Sequence, residues 1–306
     1  MVKQKYNNFN KPRSRTVGTM IRKVDLVMWT KNGAKSLPLV LKRINEVIPH
    51  EFVNNRIIVD DHSVDHTREI AKFFGWHVIF NEGSGISDGA NTALKHVTTE
   101  YFISFEQDIL LAHEWWQKTP RQMSHKGVAI ASGIRTSVGL RALAKIEEFA
   151  FGRYRRAQEA KKFDFDGFLR GKTLDNTIYK TAVIRSLGGF PKLSISTGVD
   201  TVLAYQIYVS GYEWKVDYAV KSIHLRRTLK DELAHRYWYG TCHDALSMTL
   251  LNKPADLKKM IIRLFFSPVR GLHIAIKEGC PQTVYIYPLI RFSILRGIFD
   301  GRKKSR

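Results

Sequence analysis

Two carboxylates follow a short apolar run near the start of the chain. Asp60 and Asp61 come directly after Ile57–Val59, and the polar turn 62–65 follows them. An apolar run that ends in a polar turn, with helical periodicity beyond it, predicts a buried parallel strand that stops at the carboxyl edge of a sheet. Because burying charge is costly unless a partner offsets it, paired carboxylates at this edge indicate a ligand site.

A second acidic cluster follows a later apolar run. Residues 101–105 predict a strand, and Glu106 and Asp108 stand at its end. Right-handed crossovers bring the ends of such strands to one edge of the sheet. A single carboxylate at a strand end is a helix cap about as often as a ligand. Two acidic clusters on one edge favour a functional site.

The elements around these clusters repeat in a regular order. Val24–Trp29 predicts the first strand, and the apolar face of residues 37–48 predicts a helix that packs on a sheet. Helices are predicted at about 65–74 and 88–97, and a third strand at Trp76–Phe80. Residues 24–108 therefore form a β-α-β-α-β-α-β pattern. This order predicts an α/β fold, with a Rossmann-like, mostly parallel sheet flanked by helices.

The charge of the chain is strongly basic, and it is concentrated at the two ends. The net charge is +21, of which +7 lies in the first 23 residues and +9 from Leu251 onward. A basic surface suits anionic partners such as nucleic acid, nucleotide phosphates or anionic lipids. The 306 residues are enough for one large α/β domain, with or without an appended subdomain.

The cysteine content and the hydropathy of the chain indicate the cellular compartment in which the protein is expected. Cys242 and Cys280 form neither a disulfide framework nor a metal-binding spacing, which predicts free thiols in a reducing compartment. We expect no secretory signal, because the N-terminal segment has no uninterrupted apolar stretch. We expect no ordinary transmembrane helix, because no stretch of 18 residues is apolar and uncharged. The predicted location is cytoplasmic.

Three motifs, in order, resemble those of family 2 glycosyltransferases, which have the GT-A fold. IIVDDHSVDHT is similar to the family's hhhVDDGSxDxT strand end, and FEQDIL to its D-x-D-like motif. YKTAVIRSLGGFPKLSISTGVDTVLAYQIYVSGYEW resembles its acceptor segment, where a GGF turn precedes a Glu-Asp pair. The resemblance covers about Val24 to Leu225. It implies transfer of a sugar from a nucleotide sugar with inversion at the anomeric carbon, and it leaves the sugar open.

The resemblance implies a set of contacts to the nucleotide sugar. Asp61 matches the position that hydrogen-bonds the base, and Glu106 stands where the family usually has Asp. Ala90 stands where family members often carry an Arg, so the phosphate or base contact of that Arg either comes from elsewhere, with Lys31, Arg226 and Arg227 as candidates, or is absent. The residues assigned to the nucleotide sugar are Thr30, Asn32, Asp60, Asp61, Glu106, Arg226 and Arg227.

The resemblance also implies a metal and a catalytic carboxylate. Asp108 matches the metal-binding carboxylate, and His224 resembles a further ligand of Mg²⁺ or Mn²⁺, although an isolated His is as often structural. Such a cation neutralises the leaving diphosphate. Asp200 matches the catalytic Asp, with Val199 in place of the preceding Glu. It would deprotonate an incoming hydroxyl or orient an incoming phosphate; the alternative is a plain helix cap.

The C-terminal residues alternate apolar stretches with cations. Short amphipathic helices of this composition suit the plane of a membrane interface, and ordinary packing on the catalytic domain is the alternative. We expect a peripheral protein on the cytoplasmic face, acting on a lipid-linked or glycan acceptor such as a polyprenyl phosphate. The predicted organisation is a basic flexible arm at 1–22, a GT-A catalytic domain at 23–250 with a nucleotide-sugar half (23–110) and an acceptor half (111–250), and membrane-associating helices at 251–306.

Two other classes of function remain open from the sequence. One is a non-catalytic, GT-A-like scaffold on a membrane, because Ala90, Glu106 and Val199 depart from the family pattern. The other is a nucleic-acid-binding protein, because the chain is basic. Nucleic acid is not the expected partner, since the cations lie at the termini and beside apolar helical stripes.

Overall fold

A computed structural model describes residues 21–159, 171–193, 195, 197–225 and 228–304. The predicted basic arm at 1–22 lies almost entirely outside these residues, and so do Arg226 and Arg227. The strands are β1 (Val24–Thr30), β2 (Val53–Asp60), β3 (His77–Phe80), β4 (Tyr101–Phe105), β5 (Ile109–Leu110), β6 (Val128–Ser137), β7 (Asn176–Lys180) and β8 (Glu213–His224).

Helices alternate with the first strands and then dominate the C-terminal third. In chain order they are α1 (Leu37–Val47), α2 (Thr67–Phe73), α3 (Gly85–His96), α4 (Trp115–Lys118), α5 (Arg141–Glu159), α6 (Thr181–Ser186), α7 (Val199–Val209), α8 (Leu229–Thr241), α9 (His243–Leu251), α10 (Leu257–Phe265), α11 (Ser267–Glu278) and α12 (Thr283–Lys304).

The eight strands form one sheet in the order β3-β2-β1-β4-β7-β6-β8-β5. The first four strands are parallel, which confirms the predicted alternation over residues 24–108. Strand β7 then joins β4 and β6 in antiparallel pairs, while β6 and β8 are parallel. The carboxyl ends of β1, β2 and β4 therefore meet the start of β7 at one edge.

Two apolar layers hold the sheet. Helix α1 buries Leu37, Val40, Leu41 and Ile44 on one face, while α3, α6 and α7 cover the other. Helix α3 begins at Gly85, three residues before the predicted start. The reason is local: the carboxylate of Asp88 accepts a hydrogen bond from the backbone N–H of Ser84 (3.0 Å), so it satisfies a donor that the first turn leaves open.

The C-terminal helices pack on the sheet domain through small residues and a third apolar cluster. A Cβ added to Gly240 of α8 would lie 2.2 Å from the carbonyl oxygen of Ile294 in α12, so glycine is what lets these two helices approach. Leu143 of α5 also packs with Ile286 and Ile290 of α12. Within the described part of the chain, no helix has the length and apolarity needed to cross a membrane.

Candidate active site

Asp61 lies at the carboxyl end of β2 and is held by three hydrogen bonds. Lys31 Nζ (3.2 Å) and the backbone N–H of Gly85 (3.3 Å) donate to Oδ2, and Asn81 Nδ2 donates to Oδ1 (3.0 Å). Burial acts to raise the pKa of Asp61, but these hydrogen bonds outweigh it and lower the pKa below its ordinary value. The side chain is an anion fixed at the rim of the edge.

Other predicted nucleotide contacts tie the edge loops to one another. The Oγ1 of Thr30 hydrogen-bonds the side chain of Gln107, the middle residue of the acidic motif. Asn32 has a left-handed backbone (φ 51°), and its Oδ1 accepts from the N–H of Val64 (2.9 Å). Asp60 is fully buried and accepts from the N–H of Ser63 (3.0 Å). These three residues shape the loops around Asp61.

Asp108 and His224 are brought together by the sheet. Strand β5 pairs with the end of β8, so that Ile109 lies opposite His224. The Nε2 of His224 consequently lies 2.9 Å from Oδ2 of Asp108. The imidazole is almost completely buried, whereas 38% of the Asp108 side chain is exposed. The pair is therefore accessible from solvent through the carboxylate of Asp108.

Glu106 faces a second carboxylate that the sequence did not single out. The antiparallel register places Phe105 opposite Asn176, which brings the following Glu106 beside Asp175. Arg135 of β6 joins them: it hydrogen-bonds the buried Asp175, and its Nη1 lies 3.8 Å from Glu106 Oε2. Burial and Asp175 raise the pKa of Glu106 to about 8; Arg135 opposes this, and the charges of Asp108 and Asp200 add to it.

Asp200 is the second residue of α7 and lies next to this cluster. Gly198, in the left-handed conformation (φ 91°), turns the chain into the helix. The Oδ1 of Asp200 accepts hydrogen bonds from the N–H (2.7 Å) and Oγ1 (3.2 Å) of Thr201. Burial raises the pKa of Asp200, and Arg135 and Thr201 only partly offset it. Gly198, not Asp200, is the N-cap residue of α7, so the alternative of a plain helix cap does not describe Asp200.

Helix α8 contributes two residues that sequence reasoning did not assign. Burial raises the pKa of Tyr239, and the nearby charge of Asp200 raises it further. Arg236, one turn earlier, is held by Glu232 at 2.5 Å and lowers that pKa. The sequence signal was the aromatic run after Arg236, which does not reveal that Tyr239 comes close enough to feel the charge of Asp200.

The donor set suits a divalent cation. Asp108 supplies an exposed carboxylate oxygen and His224 an imidazole nitrogen; carboxylates suit Mg²⁺ and Mn²⁺, and imidazole binds many transition metals. Over the described ranges, no three or more His, Cys, Asp or Glu side chains converge into a ready-made metal cage. Two protein ligands with open positions are what a cation bound together with substrate phosphates requires.

A model described as Glycosyl transferase family 2 matches residues 25–187, more than half of the chain. The chain belongs to glycosyl transferase family 2. The resemblance inferred from the three motifs is thereby confirmed, and the protein is a nucleotide-sugar glycosyltransferase. The matched region includes both acidic motifs and Arg135, and it ends before Asp200. No curated protein sequence matches the chain significantly.

Solved structures share the fold at low sequence identity. A mannosyltransferase from Pyrobaculum calidifontis, in complex with GDP-Man and Mn²⁺, is 15% identical, with a TM-score of 0.65 over 94% of this chain and 89% of that one. Glucosyl-3-phosphoglycerate synthase from Mycobacterium tuberculosis, with Mn²⁺, UDP-Glc and glycerol 3-phosphate, is 15% identical, with a TM-score of 0.56 over 81% and 88%. The predicted GT-A fold is therefore confirmed.

Proposed function

We propose that this family 2 glycosyltransferase moves a sugar, with inversion and with help from Mg²⁺ or Mn²⁺, from a nucleotide sugar to a lipid-linked acceptor such as a polyprenyl phosphate. One observation carries the proposal. The Asp108–His224 pair, which suits a cation, stands at the same sheet edge as the Glu106, Asp175, Arg135 and Asp200 cluster. A donor diphosphate and an acceptor can meet between them.

The cation would be held by Asp108 and His224 and would neutralise charge on the leaving diphosphate. Two of the neighbouring structures are complexes with Mn²⁺ and a nucleotide sugar, which supports this assignment. Asp61, fixed by Asn81 and Lys31, presents an anion to which a base N–H can donate. Lys31 is largely exposed, so it can move from Asp61 toward a phosphate.

Asp200 acts on the acceptor. Its carboxylate takes the proton of an incoming hydroxyl or orients an incoming phosphate oxygen. That oxygen forms a bond to the anomeric carbon as the bond from this carbon to the diphosphate breaks, and the nucleoside diphosphate leaves. A raised pKa makes the carboxylate a better base than an ordinary Asp, which suits general-base catalysis. The direct test is Asp200→Asn, with Asp200→Glu as control.

Helices α10 to α12 support a membrane-lying acceptor. Helices α11 and α12 each bury residues on one side, whereas α10 has no buried residue. All three expose large apolar residues; on α12 they recur at positions 285, 289, 292 and 299, along one stripe. Phe265 and Phe266, at the corner between α10 and α11, are 77% and 57% exposed. Lysines 258, 259 and 303 lie exposed on the same helices. Apolar stripes beside cations suit the anionic cytoplasmic leaflet, to which the protein would bind peripherally.

Donor and metal can be identified by thermal stabilisation with GDP-, UDP- and dTDP-sugars, with and without Mn²⁺ or Mg²⁺. We expect one donor class to raise Tm only with the metal, and that donor to label a polyprenyl phosphate. Asp200→Asn should keep the Tm shift and lose about 10²-fold or more in transfer. Full transfer by this variant would contradict the assigned role.

Membrane binding can be tested separately, by sedimentation with vesicles that contain or lack phosphatidylserine. Phe265→Asp should weaken binding to anionic vesicles. The control Phe73→Asp, at a phenylalanine of α2 that is 86% exposed against 77% for Phe265, should not. Equal binding by the two variants would argue against these helices as the membrane surface.

A further inference from the structure

A cavity of about 440 Å³ lies between α8, α9 and α12. Its apolar side chains are those of Ala245 and Met248 of α9 and of Ile298 of α12. The rest of the lining consists of Gly240 and Gly301 and of the polar residues Thr241, Asp244 and Arg302. The volume falls in the range of small-ligand sites. None of these residues belongs to the site described above.

The polar side chains of this cavity are already partnered within the protein. Arg302 and Asp244 form a two-pronged ion pair, with Nη2 of Arg302 3.0 Å from Oδ1 of Asp244. The same Nη2 donates to the carbonyl of Ala255 (2.7 Å), and Oγ1 of Thr241 donates to the carbonyl of Trp238 (2.7 Å). Because these polar groups already have partners within the protein, the side chains left to contact a ligand through their surface alone are the apolar ones of Ala245, Met248 and Ile298. Such side chains can pack against a hydrocarbon.

The cavity is linked to the catalytic edge through the corner between α8 and α9. Gly240 in its lining directly follows Tyr239, whose pKa responds to the charge of Asp200. On the other side of the corner, a Cβ at Gly198 would lie 2.7 Å from Leu246 Cδ1, so α9 packs on the turn that starts the Asp200 helix. Met248 and Phe299 are 47% and 42% exposed, which gives these helices an apolar outer surface as well.

We propose that this cavity binds the hydrocarbon chain of the acceptor lipid and so holds the acceptor head group near Asp200. The inference rests on the proposed function, because it assigns a place to the lipid part of that acceptor. It also implies that α12 is part of the acceptor site. Met248 suits this role, since its flexible thioether adapts to chains of different shape.

Ala245→Phe tests the proposal by filling the cavity, and Ala245→Ser is its matched control. Binding of farnesyl phosphate is measured by calorimetry, together with the KM for farnesyl phosphate as acceptor. We expect Ala245→Phe to raise both Kd and KM about tenfold, which corresponds to losing the burial of about two methylene groups. Hydrolysis of the nucleotide sugar without acceptor should stay as in the wild type, and this also shows that the variant is folded.

A second variant uses charge instead of volume. Met248→Glu should weaken farnesyl phosphate binding, and Met248→Leu should not, because only the carboxylate opposes a hydrocarbon. Equal Kd values for wild type, Ala245→Phe and Met248→Glu would overturn the proposal, as would a wild type that does not bind farnesyl phosphate. Binding that weakens as expected, in a protein that transfers no sugar to any lipid phosphate, would support the cavity and contradict the proposed function.

Discussion

Asp25 and Asp200 are recessed carboxylates at different edges of one fold, and their surroundings differ. Asp25 is the second residue of β1, at the amino edge of the sheet, and is completely buried. It accepts hydrogen bonds from the backbone N–H groups of Thr98 (2.6 Å), Thr99 (3.0 Å) and Asn55 (3.1 Å), as well as from the Asn54 side chain (2.8 Å). Burial acts to raise its pKa, but these bonds outweigh it and the pKa is lowered.

Asp200 has far less support. Only its neighbour Thr201 donates to it among the described contacts, and burial leaves its pKa raised. The difference teaches that burial alone does not mark a catalytic carboxylate. Both carboxylate oxygens of Asp25 accept several hydrogen bonds, and those from Thr98 and Thr99 connect β1 to the turn before β4. Asp200 keeps lone pairs and basicity for a ligand, which is what chemistry at the carboxyl edge requires.

The largest expected effect on activity comes from removing Asp108, the proposed cation ligand at the carboxyl edge of the sheet. Asp108→Ala leaves His224 alone and the diphosphate charge unneutralised, so kcat should fall about 10³-fold. The measurement is initial rate at saturating donor and Mn²⁺. Asp108→Asn, which keeps one oxygen, should fall less. Asp108→Ala should also be less stable than the wild type, because the buried His224 loses its carboxylate partner, and Asp108→Asn, which can still hydrogen-bond the imidazole, should be affected less. Normal activity in Asp108→Ala would remove Asp108 from the site.

At the amino edge, where Asp25 lies, we expect a substitution to lower stability and to leave activity unchanged. Asp25→Ala strands several buried donors and should lower the free energy of unfolding by about 3 kcal/mol, with kcat unchanged in the folded protein. The measurement is urea unfolding together with activity. The pKa of Asp25 is lowered on folding. The stabilisation that its carboxylate gives to the folded protein is therefore complete above the unfolded-state pKa and is lost as the pH falls through the folded-state pKa. The difference in free energy of unfolding between the wild type and Asp25→Ala should therefore become smaller at acid pH. A difference that stays constant with pH would contradict this account.

Asp61 combines features of the two carboxylates. Its pKa is lowered, like that of Asp25, but it lies at the carboxyl edge of the sheet, like Asp200. Asp61→Asn keeps the shape of the side chain and loses its charge. We expect KM for the nucleotide sugar to rise about tenfold with little change in kcat, since a charged hydrogen bond to the base is lost from ground state and transition state alike. Steady-state kinetics check this. A fall in kcat at constant KM would assign Asp61 to the chemistry instead.

The sequence predicted the parallel half of the sheet and the acidic ends of β2 and β4. Both follow from local patterns: apolar runs of strand length, polar turns and helical periodicity. It also identified Asp108 and His224 separately. That they are 2.9 Å apart depends on the pairing of β5 with β8 across 116 residues, which periodicity does not encode.

Asp175, Arg135 and Tyr239 were missed for the same physical reason. Asp175 meets Glu106 only through the antiparallel register of β4 with β7, and Arg135 reaches both from β6. Tyr239 depends on the packing of α8 against α12, which glycines permit. Single residues in amphipathic elements carry no signal of such neighbours. Long-range pairing, not local propensity, completes this site.

The smallest expected effect comes from Arg135, and it tests whether the pKa of Asp200 sets the pH dependence of activity. Its charge lowers the pKa of Asp200 against the larger effect of burial, so Arg135→Gln should raise that pKa further. A base works in its deprotonated form, so activity is present above this pKa and lost below it. The acidic limb of the kcat/KM profile should therefore move to higher pH in Arg135→Gln and stay near that of the wild type in Arg135→Lys. A limb that does not move in the glutamine variant would mean that Asp200 does not govern the acid side of the reaction.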